Sequence, residues 1–142
     1  MSQAAYRAAA VTFLSDFATD ASIGLQVYPG RPRTLRPPSA FVDAINTTFT
    51  PFVGLIDQAT PEVLVTVIFG LFDSKDAVTQ RDQFVDDFHQ WVADKYHQAG
   101  ANTLIRVSEL RDVPDYVPEW LPPEQQRTYY AVQITLEGFE TV

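Results

Sequence analysis

The pattern of hydrophobic positions changes sharply within residues 62–100. Residues 63–72 are apolar at nearly every position and rich in β-branched side chains, a composition typical of a strand covered on both faces. Ser74 ends this run and can cap a following helix. From Ala77 to Tyr96 apolar residues recur every three or four positions, which predicts an amphipathic helix that stops near Gly100. The sequence therefore predicts a central strand that leads directly into a long helix.

The residues before this unit predict one helix and two strands. A helix is expected over residues 2–19, because alanine and aromatic residues recur there at four-residue spacing. A short strand is expected over residues 23–28, and Pro29-Gly30 gives a turn signal after it. Residues 40–50 predict a longer strand with Phe41, Ile45 and Phe49 on one side. The segment 51–61 is expected to be a connector.

Two more strands are predicted after the long helix, over residues 103–111 and 127–139. The first has apolar residues in both phases, which predicts a bulge or contact with two packed layers. The second alternates cleanly between apolar and polar residues. The segment 112–126 contains four prolines and is expected to lack regular structure.

This order of elements predicts a single domain over residues 1–142. Its expected fold class is α+β, with a mixed, mostly antiparallel sheet of about five strands flanked by two main helices.

The composition excludes several classes of protein. The formal net charge of −8 argues against a dedicated nucleic-acid binder, because phosphate contacts need lysine and arginine. The absence of cysteine excludes disulfides and thiolate metal sites. The longest apolar run has ten residues, against about 20 for a membrane span, and the first residues make a poor secretory signal. We therefore expect a soluble protein made in the cytoplasm, without a membrane partner.

Two proline-rich segments are candidate interaction surfaces. The first contains Arg31, Arg33 and Arg36 among prolines, and such arginines either dock on an acidic partner or form weak local ion pairs. The second presents Tyr116 and Trp120 between prolines. Such a loop either folds back on the core or binds a partner.

No residue pattern predicts catalysis. Asp82, Asp86 and His89 share one face of the long helix and could hold a divalent cation. A solvated acidic face is the favoured interpretation, because metal sites usually draw ligands from several elements. Neither a nucleophile motif nor a phosphate-binding glycine loop is present in the sequence. We predict no catalytic residue, no metal ligand and no cofactor.

Several stretches of the chain carry a resemblance to one family. They are the N-terminal helix, Pro29-Gly30-Arg31-Pro32 with Pro37-Pro38, the strand 63–72, the acidic helix 81–88, Asp112-Val113-Pro114-Asp115, and the closing strand 129–139. In this order they resemble the tail terminator proteins of long-tailed bacteriophages and the related neck and tail-completion proteins. The resemblance covers most of the chain and contains no diagnostic motif.

The resemblance implies a structural virion protein without enzymatic activity. It implies a homohexameric ring that caps the tail tube, joins tail to head and surrounds the DNA channel. The implied partners are the tail tube protein and the head connector or neck proteins, and the implied location is the virion, after assembly in the host cytoplasm. Residues 31–36 and 116–120 are the expected interaction surfaces.

The acidic helix has an expected place in such a ring. Asp82, Asp86 and Asp87 are candidates for a surface towards the DNA channel or a neighbouring copy. A negative lumen would repel phosphate and let DNA slide.

Three alternatives stay open at this point. The chain could be another head-completion or connector protein of the neck. It could be a small intracellular enzyme that uses the face of Asp82, Asp86 and His89. It could also be a monomeric adaptor that binds a partner through the proline-rich loop.

Overall fold

A computed structural model describes residues 3–51, 57–95, 105–138 and 140–141. Its helices are α1 (Gln3–Asp20) and α2 (Lys75–Lys95), and a 3-10 turn spans Pro123–Gln125. Its strands are β1 (Gln26–Tyr28), β2 (Ser39–Pro51), β3 (Asp57–Leu71), β4 (Ile105–Tyr116), β5 (Tyr129–Gly138) and β6 (Glu140–Thr141).

The strands form one open sheet in the order β1-β2-β3-β5-β4, and the two-residue β6 pairs with the start of β3. β1 runs parallel to β2, and the other neighbours are antiparallel. Both helices contribute to one hydrophobic core on the same face of this sheet. The predicted α+β class, with a mixed, mostly antiparallel five-strand sheet and two helices, is confirmed.

The main core lies between the helices and the sheet and is centred on aromatic rings. Phe17 of α1 is fully buried, and its ring centroid lies 5.2 Å from Phe84, 5.1 Å from Phe88 and 5.5 Å from Trp91. All three contacts are edge-to-face, the favoured geometry for aromatic pairs. Ala10 is also fully buried, and its small side chain lets α1 lie close to the strands. This cluster fixes the two helices against each other.

A second, smaller hydrophobic cluster lies on the opposite face of the sheet. Phe41, Ile68 and Ala131 form its fully buried centre. Residues from the two proline-rich segments, Leu35, Tyr116 and Trp120 among them, pack against it. β3 is therefore buried on both faces, as the sequence predicts.

The strand β2 corrects one prediction. Its register with β3 shifts between Val42 and Ala44, which makes Asp43 the extra residue of a β-bulge. Because a bulge reverses the alternation of side chains, Phe41 joins the second cluster while Ile45 packs on the main core. The predicted common face for Phe41 and Ile45 is wrong.

Two segments expected to be irregular are partly strand. Residues 57–61 belong to β3, so the predicted connector 51–61 is wrong at its end. Pro61 pairs with Thr47 of β2, and on the other side of β3 it lies between Ala59, which pairs with β6, and Glu62, which pairs with β5. Likewise β4 continues through Pro114 to Tyr116, because an edge strand can accept a residue without an N–H group.

The junction between β3 and α2 is close-packed. Ala77 is 1% exposed, and a Cβ atom added at Gly70 would lie 3.3 Å from the Ala77 side chain. Val78, one of the apolar residues in the predicted amphipathic pattern from Ala77 to Tyr96, is 38% exposed rather than buried. The predicted helix end at Gly100 and the predicted strand start at residue 103 lie outside the described residues.

Candidate interaction surfaces

The two proline-rich segments, predicted as separate surfaces, pack against each other. The Trp120 Nε1 group donates a hydrogen bond of 3.0 Å to the Pro32 carbonyl. The Arg31 guanidinium lies 5.0 Å from the centroid of the Trp120 ring, a cation–π contact. The Trp120 ring also contacts Phe41 edge-to-face, with 5.2 Å between the ring centroids. Residues 31–38 and 116–126 thus form one surface, named here the proline-rich face.

Asp43 holds this face together from beneath. Its side chain is 7% exposed and forms a 2.7 Å ion pair with Arg31 Nε. Its other oxygen accepts hydrogen bonds of 2.9 Å from both the Thr66 hydroxyl and the Tyr116 hydroxyl. Sequence reasoning missed Asp43, and the only signal was a charged residue that interrupts the apolar pattern of β2. Asp43 follows Phe41 by two residues, so the alternation of a strand places its carboxylate on the same, proline-rich side of the sheet.

Hydrogen bonds continue from Asp43 across the sheet. Gln133 Nε2 donates to the Thr66 hydroxyl at 3.3 Å, and Arg111 Nη2 donates to Gln133 Oε1 at 2.9 Å. The resulting row, named here the polar row, comprises Arg31, Asp43, Thr66, Gln133 and Arg111 and crosses β2, β3, β5 and β4. Because a satisfied buried network favours one register, we infer a structural role for it.

The pKa of the Tyr116 hydroxyl is raised by its surroundings. Burial, and then the neighbouring Asp43 carboxylate, raise the pKa of Tyr116 far above its ordinary value of 10.0. Burial also raises the pKa values of Tyr6 and Tyr130. Each of the three phenols therefore keeps its proton to a higher pH in the folded chain than in the unfolded chain.

The raised tyrosine pKa values predict a loss of stability in alkali. A group with a higher pKa in the folded state binds its proton more tightly there, so its stabilising effect is complete below the unfolded pKa. Above about pH 10 the unfolded chain releases the proton first, and the free energy of unfolding falls by up to about 1.4 kcal/mol per pH unit for each group. We expect Tyr116→Phe to make this decline shallower in urea unfolding at pH 9 to 11. Tyr28→Phe, whose hydroxyl contacts Gln26, is the control, and an equal slope in wild type and Tyr116→Phe would contradict the prediction.

The predicted interface arginines and aromatics do not share one environment. The polar groups of Arg31, Tyr116 and Trp120 form hydrogen bonds within the chain. Arg33 and Arg36 are exposed and form no ion pair with a described residue. Arg33 and Arg36 therefore carry the exposed positive charge of this face that has no ion-pair partner among the described residues, on a segment that Arg31 and Trp120 fix in place.

The predicted acidic residues lie on the outer side of α2. Asp82 is exposed and pairs with the adjacent Arg81 at 3.0 Å. Asp87 accepts a 2.9 Å hydrogen bond from Gln83 Nε2, and Asp86 is exposed. Because α2 and the proline-rich face cover opposite sides of the sheet, these aspartates and the free arginines face away from each other.

The described residues offer little for chemistry. No group of three or more histidine, aspartate or glutamate side chains within them could hold a metal ion, and this covers Asp82, Asp86 and His89. A cavity of about 400 Å³ lies between the α1–β1 connection and α2, and its lining contains no titratable side chain. It is lined by Ile23, Gly24, Leu25, Pro38, Phe69, Thr79, Gln80, Gln83 and Phe84.

Comparison with known protein families and with curated proteins gives no match: no model of a known protein family matches the chain, and no curated protein matches its sequence. Within the described residues, no helix has the length and apolar character that crossing a membrane requires.

Proposed function

We propose that the protein is a structural component of a bacteriophage virion, a tail terminator that forms a ring, most simply of six copies. The ring caps the tail tube, joins tail to head and encloses the path of the DNA. Beside the resemblance in element order, one structural observation supports this proposal. The exposed arginines of residues 31–36 and the aspartates of α2 lie on opposite faces of its sheet.

The arginine segment and the two helices differ in the sign of their charge. α1 and α2 together carry seven aspartates against four lysines and arginines, whereas residues 31–36 carry three arginines and no acidic residue. Surfaces on opposite faces cannot neutralise each other within one molecule. They meet when copies associate head to tail, and such contacts close into a ring when the rotation between copies is right.

The rigidity of the proline-rich face favours such a contact. Arg33 and Arg36 lie in a segment whose neighbour Arg31 is bound to Asp43 and stacked on Trp120. Leu35, between them, packs on the second cluster. Less conformational entropy is lost on binding when the donors are already held in place.

The overall charge agrees with a channel protein. With a net charge of −8, the ring would present excess negative charge to DNA, which therefore passes without binding. The tail tube protein and the head connector are the proposed partners. Another neck or head-completion protein would share these features and differ in the partner that it binds.

Charge reversal on either surface is expected to prevent ring formation. We expect Arg33→Glu/Arg36→Glu and Asp82→Lys/Asp86→Lys/Asp87→Lys each to weaken the contact between copies about tenfold, because attractive pairs become repulsive. The measurement is light scattering together with electron microscopy of the protein alone and mixed with purified tail tubes. Wild-type protein should form rings or bind one end of the tubes.

The control is Asp73→Lys, which reverses an exposed charge in the turn between β3 and α2, outside both surfaces, and should leave rings intact. The proposal would be contradicted if the wild-type protein stays monomeric at high concentration and does not bind the ends of tail tubes. A tail-tube or head-connector gene beside its own gene would support it independently.

A further inference from the structure

The strand β4 forms an open edge of the sheet. β5 pairs with one side of it, and among the described residues no strand pairs with the other side. Its longest stretch of regular register is Glu109–Val113, because the pairing shifts between Val107 and Glu109 and again between Val113 and Tyr116. Pro114 adds a position without an N–H donor. An unpaired edge is a template for another strand, and this edge offers only a short one.

An apolar groove runs beside this edge on the helical side. It has a volume of about 200 Å³ between β4 and α2. Val107 and Leu110 of β4 are half-buried in its wall. The remaining lining consists of Val85, Phe88, His89 and Val92. The groove therefore extends the edge with an apolar surface.

The charged residues on this edge are complementary to those on the same edge of a second copy. Glu109 and Arg111 both lie on the opposite face of β4 from Leu110, since they pair with Thr135 and Gln133 while Leu110 pairs with Ile134. Both are exposed, and neither forms an ion pair with a described residue. An antiparallel pairing of two β4 strands centred on Leu110 places Glu109 of each copy opposite Arg111 of the other. Opposite charges directly across two strands stabilise the pair.

We propose that two copies of this chain associate through β4, antiparallel and centred on Leu110. The two Leu110 side chains then face each other on the helical side, and the two apolar grooves join into one interior. Two Glu109–Arg111 pairs close the other face. The association stops at two copies, because each copy uses its single β4 edge.

This contact goes beyond the proposed ring and does not compete with it. It uses neither Arg33 and Arg36 nor the aspartates of α2, and it is centred on the edge of the sheet and the apolar groove beside it. A two-fold dimer therefore exists whether or not the protein caps a tail tube.

Charge reversal with mixing tests this contact directly. Glu109→Arg alone and Arg111→Glu alone place like charges opposite each other, and each should raise the dissociation constant of the dimer at least about tenfold. An equal mixture of the two variants places opposite charges together again and should restore the dimer. The double variant Glu109→Arg/Arg111→Glu should also dimerise. Analytical ultracentrifugation over a concentration series measures each constant.

Two further measurements keep the test decisive. Glu124→Arg reverses an exposed charge away from the edge and should dimerise as wild type. Hydrogen exchange should show that amides within residues 109–113 become protected as the wild-type concentration rises. A wild-type protein that is monomeric throughout, or single variants that dimerise like wild type, would overturn the proposal. Normal tube capping by the single variants would leave the ring proposal standing, so the two ideas fail separately.

Discussion

Replacing Phe17 with alanine is expected to lower the free energy of unfolding by about 3–5 kcal/mol, the usual cost of truncating a buried phenylalanine. Phe17 is fully buried and makes edge-to-face contacts with Phe84, Phe88 and Trp91. The substitution leaves a cavity where α1 meets α2, and rings that lean on Phe17 lose their partner. A domain of ordinary stability has about 5–15 kcal/mol in total, so we expect the variant to be close to unfolding.

Urea unfolding followed by circular dichroism measures this loss. Thr12→Ala, at an exposed position of the same helix, is the matched control and should change stability by less than about 0.5 kcal/mol. Phe17→Leu should give an intermediate loss, because most of the cavity is filled. If Phe17→Ala unfolds at the same urea concentration as Thr12→Ala, the aromatic cluster does not hold the helices together.

Replacing Asp43 with alanine is expected to cost about 2–4 kcal/mol, although the residue belongs to neither hydrophobic cluster. The change removes the acceptor of two hydroxyl groups, on Thr66 and Tyr116. Each unsatisfied buried hydroxyl costs about 1–3 kcal/mol. The lost ion pair with Arg31 adds little, because the Arg31 side chain is 51% exposed and water screens it.

The Asp43 prediction has a second, local readout. Loss of the carboxylate releases Arg31, so tryptophan fluorescence from Trp120, over which Arg31 is stacked, should change in the folded variant. Asp86→Ala removes an exposed carboxylate and should leave both stability and fluorescence near wild type. An Asp43→Ala variant as stable as Asp86→Ala would show that the proline-rich face is held by apolar contacts alone.

The sequence predicted best those elements whose side chains repeat without interruption. The apolar run of β3, the spacing of Phe84, Phe88 and Trp91, and the alternation of β5 each give a strong periodic signal. The face of β2 was predicted wrongly, because one bulge residue reverses the alternation and leaves no periodic trace. The prolines in β3 and β4 led to the wrong prediction that these positions lack strand structure, for a related reason. Whether a strand position needs its N–H group depends on neighbours distant in sequence.

Local composition was enough to predict the candidate surfaces. It did not predict how these surfaces are arranged in the fold. The arginines and the aromatic loop are visible as clusters of residue types. Their contact joins residues 88 positions apart, Trp120 and Pro32, and no local pattern encodes it. Asp43 was missed because its partners come from three other elements. The division of free charge between Arg33 and Arg36 on one face and α2 on the other likewise requires the fold.

The polar row also has a consequence for the order in which the newly made chain can fold. β3 pairs with β2 early in synthesis, but its other neighbour, β5, begins only at Tyr129. Until β5 leaves the ribosome, Thr66 lacks its contact with Gln133 and one whole side of β3 has no strand beside it. Pairings between distant segments form slowly, so the nascent chain holds an exposed apolar strand from the synthesis of Leu71 until at least that of Tyr129. Chaperones that bind extended apolar segments have that interval in which to act.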